Sequence, residues 1–265
     1  MKIDHLNLSG GGRIFAISEL HGHFPALNTF LDRVKFRPSV DRILLLGNFL
    51  GFVASSWQAS SYLDKPWILA VMGQNEADVL TKLNDHTSRH QTLIGQWLPM
   101  MTEVAKAELH RALLKLPAAI QWDTDGGPVI FSQAPLPADR HWDAMSDELR
   151  KTDCPLSAMK LFMRRLDILG CLGRLGPGPQ RPAAGVSWSV SGYSVDQVER
   201  SHLVHKNRVI VPSSARTAQD ACYESTSILG NLEMTAFINR TGASPCQLDL
   251  RSELYLKKSF STNLH

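Results

Sequence analysis

Three short apolar runs, each closing on a glycine-containing polar turn, limit what this chain can fold into more than any other feature. Residues 13–18 (RIFAIS), 42–46 (RILLL) and 67–71 (WILAV) are continuous rather than alternating, the pattern of strands covered on both faces. Helical stretches separate them. Residues 25–36 place Ala26, Leu27, Phe30, Leu31 and Val34 at helical spacing behind Pro25, which suits a first helical turn. Residues 55–63 predict a second helix. Strands that alternate with helices predict an α/β fold whose parallel strands carry helices on the sheet faces.

The remainder is read more coarsely. Residues 76–116 are mostly helical in pattern with a break near Pro99, and 118–122 with 129–131 form a hairpin through Asp125-Gly126-Gly127. Helices are expected over 142–150 and 156–169, and strands over 186–190, 208–211, 232–238 and 247–250. Residues 173–185 (GRLGPGPQRPAAG) are dense in Gly and Pro and read as an irregular loop. A single domain over 1–265 is expected, with a helical insert at about 76–116 and a C-terminal extension at about 239–265.

Composition narrows the function classes. Apolar residues make up 43% and charged residues 20% of 265, which excludes a disordered chain and a collagen-like fibre. A net charge of +3 without any basic run gives no nucleic-acid signal. Cys154, Cys171, Cys222 and Cys246 show no C-x-x-C spacing and are expected to be reduced thiols. The longest apolar stretch, 43–54, is interrupted and too short to span a bilayer. Residues 1–13 lack the apolar core of a signal peptide, so a cytoplasmic protein is expected.

The chemistry is concentrated where the first three strands end, the usual place for ligands in open α/β sheets. Those ends read Ser18-Glu19-Leu20-His21-Gly22-His23, Gly47-Asn48-Phe49-Leu50-Gly51-Phe52 and Gly73-Gln74-Asn75-Glu76. Together they resemble the calcineurin-like metallophosphoesterases, most closely the bacterial and phage serine/threonine protein phosphatases, with their G-D-x-H-G, G-D-x-x-D-R-G and G-N-H-E motifs. The resemblance is strongest over residues 12–80. It continues more faintly through 131–134, 161–164, 190–194 and 230–232, to about 238. It implies a four-layer α-β-β-α sandwich and, in active members, two metal ions that activate water against a phosphoryl group.

This chain departs from the motifs at the reacting centre. By the resemblance, the metal-ligand positions are Glu19, His21, Asn48, Gln74, Gln133 and Tyr193, where the family has Asp, His, a bridging Asp, Asn, His and His. Only His21 is unchanged. An amide at position 48 offers one ligand oxygen and turns an NH2 donor toward the second metal. Amides are weaker ligands than imidazole for transition metals, and a tyrosine phenol stays protonated at neutral pH. The general-acid position is Asn75, which has no titratable proton. Phe52 stands where the family has a phosphate-gripping arginine, and Arg164 corresponds to a second one. No cofactor is expected, or Mn2+ or another divalent transition metal if the protein is active.

Two readings of the strand ends stay open. Glu19 and His21 are either a remnant single-metal site or a hydrogen-bonded carboxylate–imidazole pair. The pair is preferred because a metal normally needs at least three ligands. Asn48, Gln74, Asn75 and Gln133 are either drift after loss of activity or a polar cleft kept for binding. The expected function is a catalytically inactive serine/threonine-phosphatase-like protein, acting as a protein-binding scaffold or regulatory subunit. One alternative is a phosphoesterase with a rearranged site on Glu19, His21 and His23. Another is a non-hydrolysing phosphoprotein-binding module that uses Arg164. The expected partner is a protein, a phosphoprotein among the candidates, with no nucleic acid and no membrane.

Overall fold

The computed structural model describes residues 3–6, 13–84, 94–124, 126–136, 140–152, 183–193, 203–205, 208–212 and 235–237. Among these the elements run β1 (Ile3–His5), β2 (Ile14–Ile17), α1 (Phe24–Arg33), β3 (Arg42–Leu45), α2 (Ala59–Leu63), β4 (Ile68–Ala70), α3 (Gln74–Asn84), α4 (Glu103–Leu114), β5 (Ala119–Trp122), β6 (Val129–Ser132), α5 (Trp142–Arg150), β7 (Trp188–Tyr193), β8 (Leu203–His205), β9 (Arg208–Pro212) and β10 (Thr235–Phe237). Short 3-10 helices lie at Ala54–Gln58 and Leu98–Met100.

The strands form two sheets. One has the order β10-β2-β3-β4, parallel except for β10, which runs antiparallel to β2. The other has the order β1-β5-β6-β7-β9-β8 and is mixed. Its β1–β5, β6–β7 and β7–β9 pairs are parallel, and its β5–β6 and β8–β9 pairs antiparallel.

Period-two alternation explains why the early strands are apolar throughout. Phe15, Ile17, Ile43, Leu45, Ile68 and Ala70 join a cluster with Phe24 and Leu27 of α1, Tyr62 of α2, Val79 of α3 and Leu109 of α4. Their neighbours Ile14, Ala16, Leu44, Leu46 and Val71 pack with Ile120, Val129, Phe131 and Val190 of the second sheet. The far face of that sheet buries Ala119 and Ile130 with Trp142, Met145 and Leu149 of α5. Every side chain of β2, and Ile43, Leu44 and Leu45 of β3, therefore leaves water on one face or the other. Burial of this kind is worth about 25 cal/mol per Å2 of apolar surface.

The expected strands and helices fall where the apolar periods place them, with three refinements. Residues 54–63 begin as a 3-10 turn and only then become α2. The helical stretch opens at Gln74 and is interrupted at Leu98–Met100 beside Pro99. Two three-residue strands, β1 and β8, carry no run long enough to be read in advance. The expected helix at 156–169, the strand at 247–250, the four cysteines and all but the last three residues of 173–185 lie outside the described residues. No helix among the described residues is long and apolar enough to cross a membrane.

Candidate functional site

The turns after β2, β3 and β4 converge because backbone comes unusually close to backbone there. Gly47 has a φ of +80°, and a Cβ on it would meet Cγ of Gln133 at 2.6 Å. Only glycine accepts both the left-handed backbone and the contact. The packing that results sets Gln133, from the turn after β6, beside the end of β3. Gly192 does the same for β7, since a Cβ on it would fall 2.6 Å from Oγ of Ser18 and 2.8 Å from Cβ of Leu46.

Three of the turn residues hold left-handed backbone without being glycine: Glu19 at φ 54°, His21 at 49° and Asn48 at 51°. Such a conformation costs about 1–2 kcal/mol for an ordinary side chain and less for Asn or Asp. The strain falls on positions the motifs single out. The His21 amide N–H donates to the Asn48 carbonyl at 3.0 Å, and the Gly22 N–H to that of Phe49 at 2.7 Å. These bonds lock the first turn against the second.

Four side chains meet in the cleft so formed. Asn48 accepts the Asn75 backbone N–H on Oδ1 at 3.1 Å, and its Nδ2 donates to Oε1 and Oε2 of Glu19 at 2.9 and 3.1 Å. Asn75 donates from Nδ2 to the Leu50 carbonyl at 2.6 Å, and that nitrogen lies 3.2 Å from Nδ1 of His21. Nε2 of His21 sits 3.1 Å from Oε2 of Glu19. Burial opposes a charge on His21, but the Glu19 hydrogen bond and charge outweigh it and raise its pKa above the ordinary value. Glu19 thus accepts from an amide on one side and an imidazole on the other.

Below this cluster lies Glu76, fully buried, accepting backbone N–H groups from Asn48 and Leu50 at 2.8 Å each and from Gly73 at 2.9 Å. Burial pushes its carboxyl up to about 7, against the pull of the N–H donors from Leu50 and Asn48, with the Glu19 charge adding to the rise. The side chain is a bracket between the second and third turns. Trp97 adds a further tie, with Nε1 donating to the Gly51 carbonyl at 2.8 Å. The terminal Glu of the third motif was visible in the sequence without a role. Trp97, inside a stretch read only as helical, gave no signal.

The other positions divide. Gln74 donates from Nε2 to Asp78 one helical turn on, at 2.7 Å. Gln133 is buried beside Gly47, and Phe52 is half-buried on the second turn. Tyr193 ends β7, but its side chain lies outside the described residues, as does all of Arg164. His23 caps the start of α1 without a capping bond, and its buried Nε2 has no partner. Burial and then the neighbouring His21 lower its pKa. Oγ of Ser18 is likewise buried without a partner.

The donor chemistry does not fit a pair of metal ions. The residue that would bridge them presents N–H groups to Glu19. Among the described residues no three His, Cys, Asp or Glu side chains are grouped to hold a metal. What the cleft does offer is a buried, internally hydrogen-bonded set of amides around a carboxylate–imidazole pair.

No family profile matches the chain. Among curated proteins, serine/threonine-protein phosphatase 2 of Salmonella typhimurium is 24% identical over 132 residues, 48% of this chain and 61% of its own length. The Escherichia coli protein of the same name is 23% identical over the same shares. An uncharacterised protein of Methanocaldococcus jannaschii is 30% identical over 122 residues, 46% of this chain and 49% of its own. The chain therefore spans between 49% and 61% of the length of these relatives. Among solved structures, one assigned to a diadenosine tetraphosphatase superposes with a TM-score of 0.50 at 16% identity, covering 80% of this chain and 87% of the other.

Proposed function

We propose that this chain, which has a calcineurin-like metallophosphoesterase fold and is distantly similar to bacterial serine/threonine phosphatases, does not hydrolyse phosphoesters and serves instead as a protein-binding scaffold or regulatory subunit. The observation that carries this reading is Asn75. It stands at the general-acid position, has no proton to give, and commits its NH2 group to the Leu50 carbonyl at 2.6 Å. A general acid contributes on the order of 10^2–10^4 in rate, and an amide at that position cannot supply it. The amide at position 48 supports the same reading.

The finer architecture belongs with this proposal. Helices α1 to α4 pack on one sheet, the two sheets share a buried layer, and α5 covers the outer face of the second. That order of contacts supports a four-layer α-β-β-α sandwich. A protein partner is supported by apolar side chains left in water just before and at the start of α4, where Met100 is 80% and Val104 70% exposed. A scaffold of this kind keeps the loops and loses the chemistry.

The test is turnover of p-nitrophenyl phosphate and of a phosphopeptide by the full chain in Mn2+. Background rates are expected. Phosphatase rates that disappear in His21→Ala would overturn the reading.

A further inference from the structure

Glu19, His21, Asn48 and Asn75 come from the turns after three different strands, and three of the four hold left-handed backbone. Something has to hold these turns together against that strain. The spacing of the polar atoms is informative. Nδ2 of Asn48 lies 2.9 and 3.1 Å from the two Glu19 oxygens, and Nε2 of His21 lies 3.1 Å from one of them. Neighbouring ligand atoms around an octahedral ion with bonds of about 2.1 Å are themselves about 3.0 Å apart. These ordinary hydrogen-bond distances coincide with that spacing, but N–H groups face Glu19 where a cation would need lone pairs.

The direction of the Asn48 amide is fixed by its surroundings. Oδ1 receives the Asn75 backbone N–H at 3.1 Å. Turning the amide over would set oxygen against the Glu19 carboxylate and NH2 against a backbone N–H, two repulsions in place of three hydrogen bonds.

We infer that the Asn48 amide takes the place of a divalent cation as the tie between the three strand-end turns, and that by facing Glu19 with N–H groups it keeps such a cation out. The inference rests on the non-hydrolysing reading of the cleft, but it concerns what holds the cleft together and is read by melting rather than turnover. The folded native chain owes no stability to divalent metal. Asn48→Asp reverses this, because it sets two carboxylates about 3 Å apart in a buried site, where one must take up a proton or both must share a cation. With His21 the variant also has three ligands, the usual minimum for a bound metal.

The experiment is thermal unfolding of the full chain in EDTA and in excess Mn2+. The native protein melts at the same temperature in both. Asn48→Asp melts lower in EDTA by about 4 °C or more, and Mn2+ raises it again. The exchange variant Glu19→Gln/Asn48→Asp rebuilds an amide–carboxylate pair with the partners swapped. It melts above Asn48→Asp in EDTA and is less sensitive to Mn2+. If Asn48→Asp is unfolded in EDTA, circular dichroism after adding Mn2+ replaces the melt, and recovery of structure is expected.

A native protein stabilised by Mn2+, or an Asn48→Asp variant indifferent to it, would overturn the tie. Turnover by a native protein whose melting ignores Mn2+ would remove the non-hydrolysing reading and leave the tie standing. Mn2+-dependent melting without turnover would do the reverse.

Discussion

Arg13 grips Asp41 through two side-chain nitrogens, with Nη2 at 2.6 Å and Nε at 3.2 Å from Oδ2, while its own backbone N–H donates to Oδ1 at 2.9 Å. Asp41 is fully buried, and Arg37 adds a backbone N–H at 2.9 Å and a side-chain bond at 3.3 Å. Arg13 also donates to the carbonyls of Val34 and Lys35 at 2.9 Å each. The end of α1 and the starts of β2 and β3 are thereby fastened at the opposite end of the sheet from the cleft. Replacing Arg13 with Met leaves the Asp41 charge buried without its main partner, and such losses cost about 3–5 kcal/mol. Urea unfolding should show a drop of that order.

The same knot sets an acid limit. Burial opposes the Asp41 charge, yet hydrogen bonds from Arg13 and Arg37 outweigh it and hold the carboxyl well below the usual carboxylate range. Its folded pKa is depressed, so its stabilisation is complete above about pH 4, the unfolded value, and is lost as the pH falls below it. The urea midpoint is expected to fall across that window in the native protein. The fall should be smaller in Asp41→Asn, which starts lower.

Glu76 works in the opposite sense. Its folded pKa is raised to about 7 from an ordinary 4.5, so the folded state holds the extra proton between those values. The contribution is complete below the lower value and is lost as the pH rises through the upper one. Glu76→Gln cannot ionise, and its stability should vary less with pH than the native protein's over this interval. Matched pH series of denaturant midpoints measure the difference in slope.

Trp97→Phe keeps a buried ring but removes the N–H that reaches the Gly51 carbonyl. The Gly51 carbonyl keeps the Ser56 hydroxyl as a second donor at 3.3 Å, so the loss is that of one hydrogen bond, about 0.5–1.5 kcal/mol. Gly51 also donates its own N–H to Oγ of Ser56 at 3.0 Å, so the second turn loses one of two anchors. Amide hydrogen exchange in residues 47–52 should quicken beyond the global change.

Restoring a titratable group does not restore the reaction. Asn75→His supplies a proton donor, but the Asn48 amide that faces Glu19 with N–H groups remains. Phosphatase rates at background are expected with p-nitrophenyl phosphate in Mn2+. A measurable rate in this single variant would mean that position 75 alone had been limiting.

Much of the first sheet was legible in the sequence because β2, β3 and β4 are apolar on both faces and each ends in glycine and polar residues. The meeting of Glu19, His21, Asn48 and Asn75 was legible too, since strand ends in one parallel sheet lie side by side. The direction of the Gln74 side chain was not. Its bond to Asp78 depends on the onset of α3 at that residue, which places the two one turn apart. The Glu76 bracket was hidden because its partners are backbone N–H groups, which every residue but proline has. β1 escaped notice because it is held by pairing with β5, more than a hundred residues away.

The left-handed backbone at Asn48 also bears on which sequences this loop can accept. At a φ of 51°, β-branched residues are largely barred, whereas Asn, Asp and Gly pass with little penalty. The difference between an acid and its amide at this position is therefore almost invisible to the main chain. A single exchange of one for the other changes the electrostatic character of the cleft while the loop keeps its path. In a saturation library at position 48, backbone shape should narrow the tolerated set to Asn, Gly and Asp, with Asp accepted best where a divalent cation is supplied.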